Sequence, residues 1–193
     1  MMLPRESEPG GPYVRRLAQF RHELRSLAES PSRAALERML LRAGELGLGH
    51  NEVGEELSDI KACLEAVDVQ TQLERGELPV VDSLEALPPG DACHFVSPVR
   101  FGRRRADQFG HLLLTSGWLR FRGALDVSIV WSEIGSVRRD GRDLVVALHD
   151  SRRVLRFSCH SLAEAAVGGV IAEHLVRVAS SEPSGSPAFH ASV

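Results

Sequence analysis

Phe109-Gly110-His111-Leu112-Leu113-Leu114-Thr115-Ser116-Gly117-Trp118-Leu119-Arg120-Phe121-Arg122-Gly123 decides how this chain folds. Leu119 and Phe121 alternate with Trp118, Arg120 and Arg122. A strand with that pattern turns an apolar pair to one face and a tryptophan and two arginines to the other. Ser116-Gly117 breaks two β-rich runs with two turn-forming residues, the spacing of a hairpin.

The same period of two continues on both sides. The runs Cys93–Val99, Phe109–Thr115, Trp118–Arg122, Val127–Trp131, Ile134–Arg139, Leu144–His149 and Val154–Cys159 are separated by turn residues such as Gly123, Asp140-Gly141 and Asp150-Ser151. Seven short strands so spaced predict a meandering antiparallel barrel or sandwich, and a small closed seven-stranded barrel is the expectation adopted. Ser161-Leu162-Ala163-Glu164 then forms a capping box, in which serine and glutamate each satisfy the other's free backbone N–H. The helix it opens carries Leu162, Ala166, Val167, Val170, Ile171, Leu175 and Val178. Gly168 and Gly169 sit in its middle. Each costs a helix about 1 kcal/mol against alanine, so close approach of the helix to the barrel is expected there.

Upstream the period is helical. Val14, Leu17, Phe20, Leu24 and Leu27 make one stripe of a helix over about 13–29. Ser30-Pro31 offers an N-cap followed by a first-turn proline for a second helix, which carries Leu36, Met39, Leu40 and Ala43 and stops at Gly47 and Gly49. Asn51 is the expected cap of a third, with Val53, Leu57, Ile60, Leu64 and Val67 on one side and an end near Leu73. The segment 76–91, with Pro79, Pro88, Pro89 and Gly90, reads as a linker. The expected organisation is an N-terminal tail (1–12), a helical region of about three helices (13–75), the linker (76–91), a barrel with its C-terminal helix (92–179) and a C-terminal tail (180–193), both tails disordered. The fold class is α+β.

Hydrophobic content of 43% and 25% charged residues suit a globular protein. Residues 1–90 hold 10 basic and 16 acidic side chains, a net of −6, whereas 91–193 hold 13 and 10, a net of +3. The halves therefore present different surfaces. Three cysteines, Cys63, Cys93 and Cys159, suit a reducing compartment rather than a disulfide framework. Met1 to Pro12 lacks the basic and apolar regions of a signal peptide, so cytoplasmic residence is expected.

The span Gly110 to Gly123 resembles the G-x-L-x-x-T-x-x-x-L-x-F stretch of GRAM and bacterial pleckstrin-homology (PH)-like domains. Val127-Ser128-Ile129-Val130-Trp131-Ser132-Glu133-Ile134-Gly135-Ser136-Val137 resembles the segment that follows it in them. The likeness covers about residues 92–178 and leaves the helical region unassigned. It implies a scaffold for phospholipid headgroups, peptides or partner domains, acting as an adaptor. Fold alone does not fix the ligand.

The sharpest candidate site joins Arg100, Phe101, Arg103, Arg104 and Arg105 to Arg120 and Arg122. Guanidinium forks suit phosphate and carboxylate geometry, and Phe101 on the same loop is suited to a membrane interface. The bland alternative is a solvated basic loop, or one paired with the acidic helical half. Compared with the lipid signature that the resemblance suggests, the spacing from Arg105 to Arg120 is long. Trp118 is a second candidate, as an anchor for a partner, against simple packing of Trp118 and Trp131 under the C-terminal helix or against the N-terminal bundle. Cys93-His94 and Cys159-His160 have the composition of a zinc site, but neighbours on a strand point to opposite faces, so no metal is assigned. No catalytic motif is present, and Gly110-His111 and Asp150 are explained as turn and strand-edge residues.

These observations lead to a non-enzymatic interaction or adaptor module that binds a protein partner or self-associates, without cofactor, nucleic acid or small-molecule substrate. The alternative is a peripheral module for anionic lipid at the inner face of the membrane, through the Arg100–Arg105 loop.

Overall fold

The computed structural model describes residues 11–27, 32–102, 108–149 and 153–181. They form two compact units, 1–67 and 68–193, that divide within the third helix. The element order is α1 (Pro12–Leu27), α2 (Arg33–Glu45), α3 (His50–Glu74), β1 (Cys93–Phe101), β2 (Gln108–Thr115), β3 (Trp118–Gly123), β4 (Val127–Val130), a 3-10 turn (Trp131–Glu133), β5 (Ile134–Asp140), β6 (Asp143–Leu148), β7 (Val154–Cys159) and α4 (Leu162–Ser181).

In the first unit, Phe20, Leu36, Met39, Ala43, Val53 and Ile60 share one core. The cap of α2 differs from expectation. Ser30 and Pro31 lie outside the described residues, and the capping serine is Ser32, whose extended backbone lets Oγ accept from Ala35 N–H. At the other end Gly47 takes φ +64°, and Leu48 N–H donates back to Ala43 O at 3.0 Å. That left-handed turn tucks Leu48 into the core. Nor does α3 start at Asn51. Val53 N–H donates to Gly49 O, and the Glu52 carboxylate accepts from Gly49 N–H, so the helix begins earlier, with a kink at Val53.

In the second unit all seven strands join one antiparallel sheet in the order β4-β3-β2-β1-β7-β6-β5. The expected closed barrel is corrected here: the sheet is open, with β4 and β5 as its edges. The two edges adjoin in sequence, but the chain passes between them through the 3-10 turn instead of a ladder. That turn is tied down by the Trp131 indole N–H, which donates to Thr115 O at 2.8 Å, and by His149 N–H, which donates to Glu133 O. Helix α4 packs against β5 and the turn.

Strand alternation decides which side chains enter the core. Phe95, Val99, Leu112, Leu114, Leu119, Phe121, Leu144, Val146 and Phe157 meet the inner side of α4, including Ala165, Ile171 and Leu175. Gly110 and Gly123 pair across β2 and β3. A Cβ at Gly110 would lie 2.2 Å from Arg122 O and 2.7 Å from the Phe121 ring, so that pair exists to let Phe121 lie flat on the sheet. Phe101 does not project from the β1–β2 connection. Its ring centroid is 5.0 Å from those of both Phe121 and Phe157, and this cluster replaces the expected membrane-facing position with a structural one. Thr115 closes the β2–β3 hairpin: its Oγ1 donates to Trp118 O and accepts from Trp118 N–H.

The capping box of α4 is present in both directions, with Ser161 N–H donating to Glu164 and Glu164 N–H to Ser161 Oγ. The glycine pair of α4 also has its expected cause. A Cβ on Gly168 would come 2.9 Å from Phe95 Cζ and 3.2 Å from Leu144 Cδ1, whereas one on Gly169 would meet Leu144 Cδ2 at 3.4 Å. The two positions should respond oppositely to alanine. Gly169→Ala gains helix propensity of up to about 1 kcal/mol, which raises Tm by about 2–4 °C. Gly168→Ala loses more to overpacking against Phe95 than it gains, and lowers Tm by a similar amount. Thermal unfolding of both variants checks this, and a rise for Gly168→Ala would show that the helix does not approach so closely.

Cys159 is buried, and desolvation pushes its thiol up to about 12, while burial raises that of Cys93 as well. Thiolate is the reacting form, so both stay protonated at neutral and mildly alkaline pH. Maleimide labelling of the native protein there should leave both unmodified, and labelling in urea should modify both. Native labelling of Cys159 would mean that β7 opens.

Candidate functional site

The face of the sheet opposite the core carries a group of polar and charged side chains among the described residues. Since Leu112, Leu114, Leu119 and Phe121 point inward, Phe109, His111, Trp118, Arg120 and Arg122 point outward. The ladder register aligns Pro98, His111 and Arg122 in one row and Arg100, Phe109 and Ser158 in the next.

Segment 76–91 crosses this face. Val81 N–H donates to Cys93 O at 2.9 Å, and Asp91 accepts from Gly117 N–H at 3.1 Å. Pro79 O lies 2.7 Å from His94 Nδ1, and the other ring nitrogen is 2.9 Å from Ser116 Oγ. His94 is thus a clasp between segment and hairpin. Cys93, its neighbour, points its Sγ to Phe95 O. No cluster of metal-ligating side chains occurs among the described residues.

Between those anchors, Glu85 reaches the arginines. Its carboxylate accepts from Arg120 Nη1 at 3.0 Å and from Arg122 Nε at 2.7 Å. Hydrogen bonding from Arg122 is the main cause that holds the Glu85 carboxyl below its usual range, and the contact from Arg120 adds to it. The Arg120 guanidinium is 11% exposed and lies over the Trp118 ring, 5.6 Å from its centroid. Arg122 also approaches Ser128 and Asp126. The two arginines singled out from the sequence are therefore brought together, and an internal carboxylate bridges them. Trp118 is half-buried beneath this pair, and Trp131 is core.

Beyond Arg122 the face opens into a cleft of about 740 Å³. Arg100, Phe109, His111, Arg122, Arg142 and His160 are among its lining residues. Phe109 is 75% exposed, the highest value among the large exposed apolar side chains of the described residues. Neither Arg100 nor Arg142 forms an ion pair among the described residues. Asp143, which also lines the cleft, is held by Arg156. Arg103, Arg104 and Arg105 lie outside the described residues.

The sequence does not mark Phe109 or Arg142 as site residues, and it marks His160 only as half of a Cys-His pair weighed for zinc. The outward position of Phe109 was readable from its alternation with Leu112 and Leu114. Nothing local marks Arg142 or Glu85, because long-range register brings them to this face.

No protein-family model matches the chain, and no curated protein matches it. Solved structures do. One is the N-terminal PH domain of human ARAP2, 12% identical, with a TM-score of 0.39 over 57% of this chain and 100% of that one. Another is the C-terminal domain of an unknown protein from Leishmania infantum, at 16% identity and a TM-score of 0.37, over 58% of this chain and 98% of that one. The DH/PH domains of p115-RhoGEF (R399E mutant) are 13% identical with a TM-score of 0.41, over 84% of this chain and 55% of that structure. At these values the ligand must be sought in this chain's own residues.

Proposed function

We propose that this chain is a non-enzymatic interaction module and that its second unit receives an acidic protein segment in the cleft beside Phe109. The observation that carries this reading is the exposed Phe109 ring in one cleft with Arg100 and Arg142, two cations without ion-pair partners among the described residues. An exposed aromatic in a concave site supplies buried area, and arginine forks supply carboxylate recognition. His111 and His160 add hydrogen-bonding groups along the same wall. The concavity favours a chain segment with an apolar side chain between acidic ones over a flat surface.

The test is fluorescence anisotropy of a labelled peptide, with three glutamates on either side of a leucine, titrated with the full chain at low salt. Arg100→Glu/Arg142→Glu should weaken binding about tenfold or more, and Phe109→Ala should weaken it with little change in Tm. Vesicles of phosphatidylserine and phosphatidylcholine form the second arm, with an Arg103→Ala/Arg104→Ala/Arg105→Ala variant beside the parent chain. Salt-sensitive vesicle binding lost in that variant, with no peptide binding, would replace this reading by recruitment to anionic membranes.

A further inference from the structure

The Arg120–Arg122 pair is filled from within the chain, and the way it is filled is informative. Glu85 takes one guanidinium with each carboxylate oxygen, as a bound acidic side chain would. Arg122 belongs to both places: it holds Glu85 and lines the cleft. The anion position and the cleft are therefore continuous.

The segment that delivers Glu85 is lightly held. From Asp82 to Gly90 it has no helix or strand, and its described hydrogen bonds to the sheet are those of Glu85. Leu84, the residue before it, is 62% exposed, so no apolar burial of that side chain fastens the loop. Its backbone anchors lie at the ends, at Pro79–Val81 and at Asp91, with Leu87 half-buried between them. The arginines, by contrast, are fixed on β3, and Arg120 is braced over Trp118.

Charge decides what can replace Glu85. Without Glu85, Arg120 would keep only Asp91, at 3.9 Å, and Arg122 only the exposed Asp126, at 3.7 Å, so an entering anion offsets the loss of the closer and better hydrogen-bonded carboxylate. Arg120 Nε is buried and has no hydrogen-bond partner among the described residues, which leaves the pair a donor that Glu85 does not use.

We propose that Arg120 and Arg122 form a second acidic-residue subsite of the cleft, and that Glu85 is a tethered competitor that an acidic partner segment must displace. This rests on the assignment of the cleft to an acidic segment. The tether keeps the competitor at about millimolar effective concentration, so it screens out weak acidic ligands and admits those that engage both the cleft and the arginine pair.

The experiment uses the same labelled peptide and the full chain. Glu85→Gln should bind it about tenfold tighter than the parent chain. Asp82→Asn removes the same charge from the same segment without touching an arginine, and should leave affinity unchanged. Combining Glu85→Gln with Arg120→Gln should abolish the gain. Glu85→Asp keeps the charge but shortens the reach, and should give a smaller gain; it also serves as the deciding variant if Glu85→Gln fails to fold. Parent-like affinity in Glu85→Gln, or in Glu85→Asp when that variant decides, overturns the inference. Equal gains in Glu85→Gln and Asp82→Asn also overturn it, because net charge would then suffice. In either case, weakening by Arg100→Glu/Arg142→Glu leaves the cleft assignment standing. Peptide binding insensitive to every one of these variants overturns both.

Discussion

The rest of the second unit depends on the contact between the Phe121 ring and the paired glycines Gly110 and Gly123. A Cβ at Gly123 would lie 2.7 Å from Phe109 O, and one at Gly110 would be closer still to Arg122 O, so no other residue fits either position without moving backbone. With the ring seated there, Phe101 and Phe157 complete an aromatic cluster at one end of the core. The contact also fixes the parity of β3. A strand has only two faces, so placing Phe121 inward places Arg120 and Arg122 outward. The polar face follows from packing on the other side of the sheet.

That face is a study in how charges are used. Glu85 meets two arginines on a partly enclosed surface, while Arg156 is taken by Asp143 and Asp140 at the far side of the cleft. Desolvation makes an unpaired charge costly where water is excluded and cheap where it is not. Accordingly the most enclosed guanidinium, Arg120, is paired, and the exposed Arg100 and Arg142 stand without ion pairs among the described residues. The aromatic ring that shares their cleft has no evident structural duty, since Phe109 lies outside both apolar cores.

Much of this was legible in the sequence because it is local. Alternation located all seven strands, and the capping box located α4. The cost of Gly168-Gly169 foretold a close helix approach, which Phe95 and Leu144 explain. What stayed hidden is non-local. The closed barrel was a reasonable expectation from strand count, yet closure depends on whether two edge strands pair, and the 3-10 turn at Trp131–Glu133 separates them. Phe101 looked like a loop residue because the strand end that carries it inward is set by pairing with Gln108 and Phe157. Segment 76–91 looked like a linker by composition, and only the fold brings Glu85 to arginines 35 and 37 positions later.

Amide shift mapping of the full, isotope-labelled chain with the acidic peptide locates the bound segment residue by residue. Shifts should concentrate at Arg100, Phe109, His111, Arg142 and His160, with further shifts at Glu85 and its neighbours as the segment leaves the arginines. Shifts confined to the helical unit, or to α4 and β5, would place the binding surface elsewhere and contradict the cleft assignment.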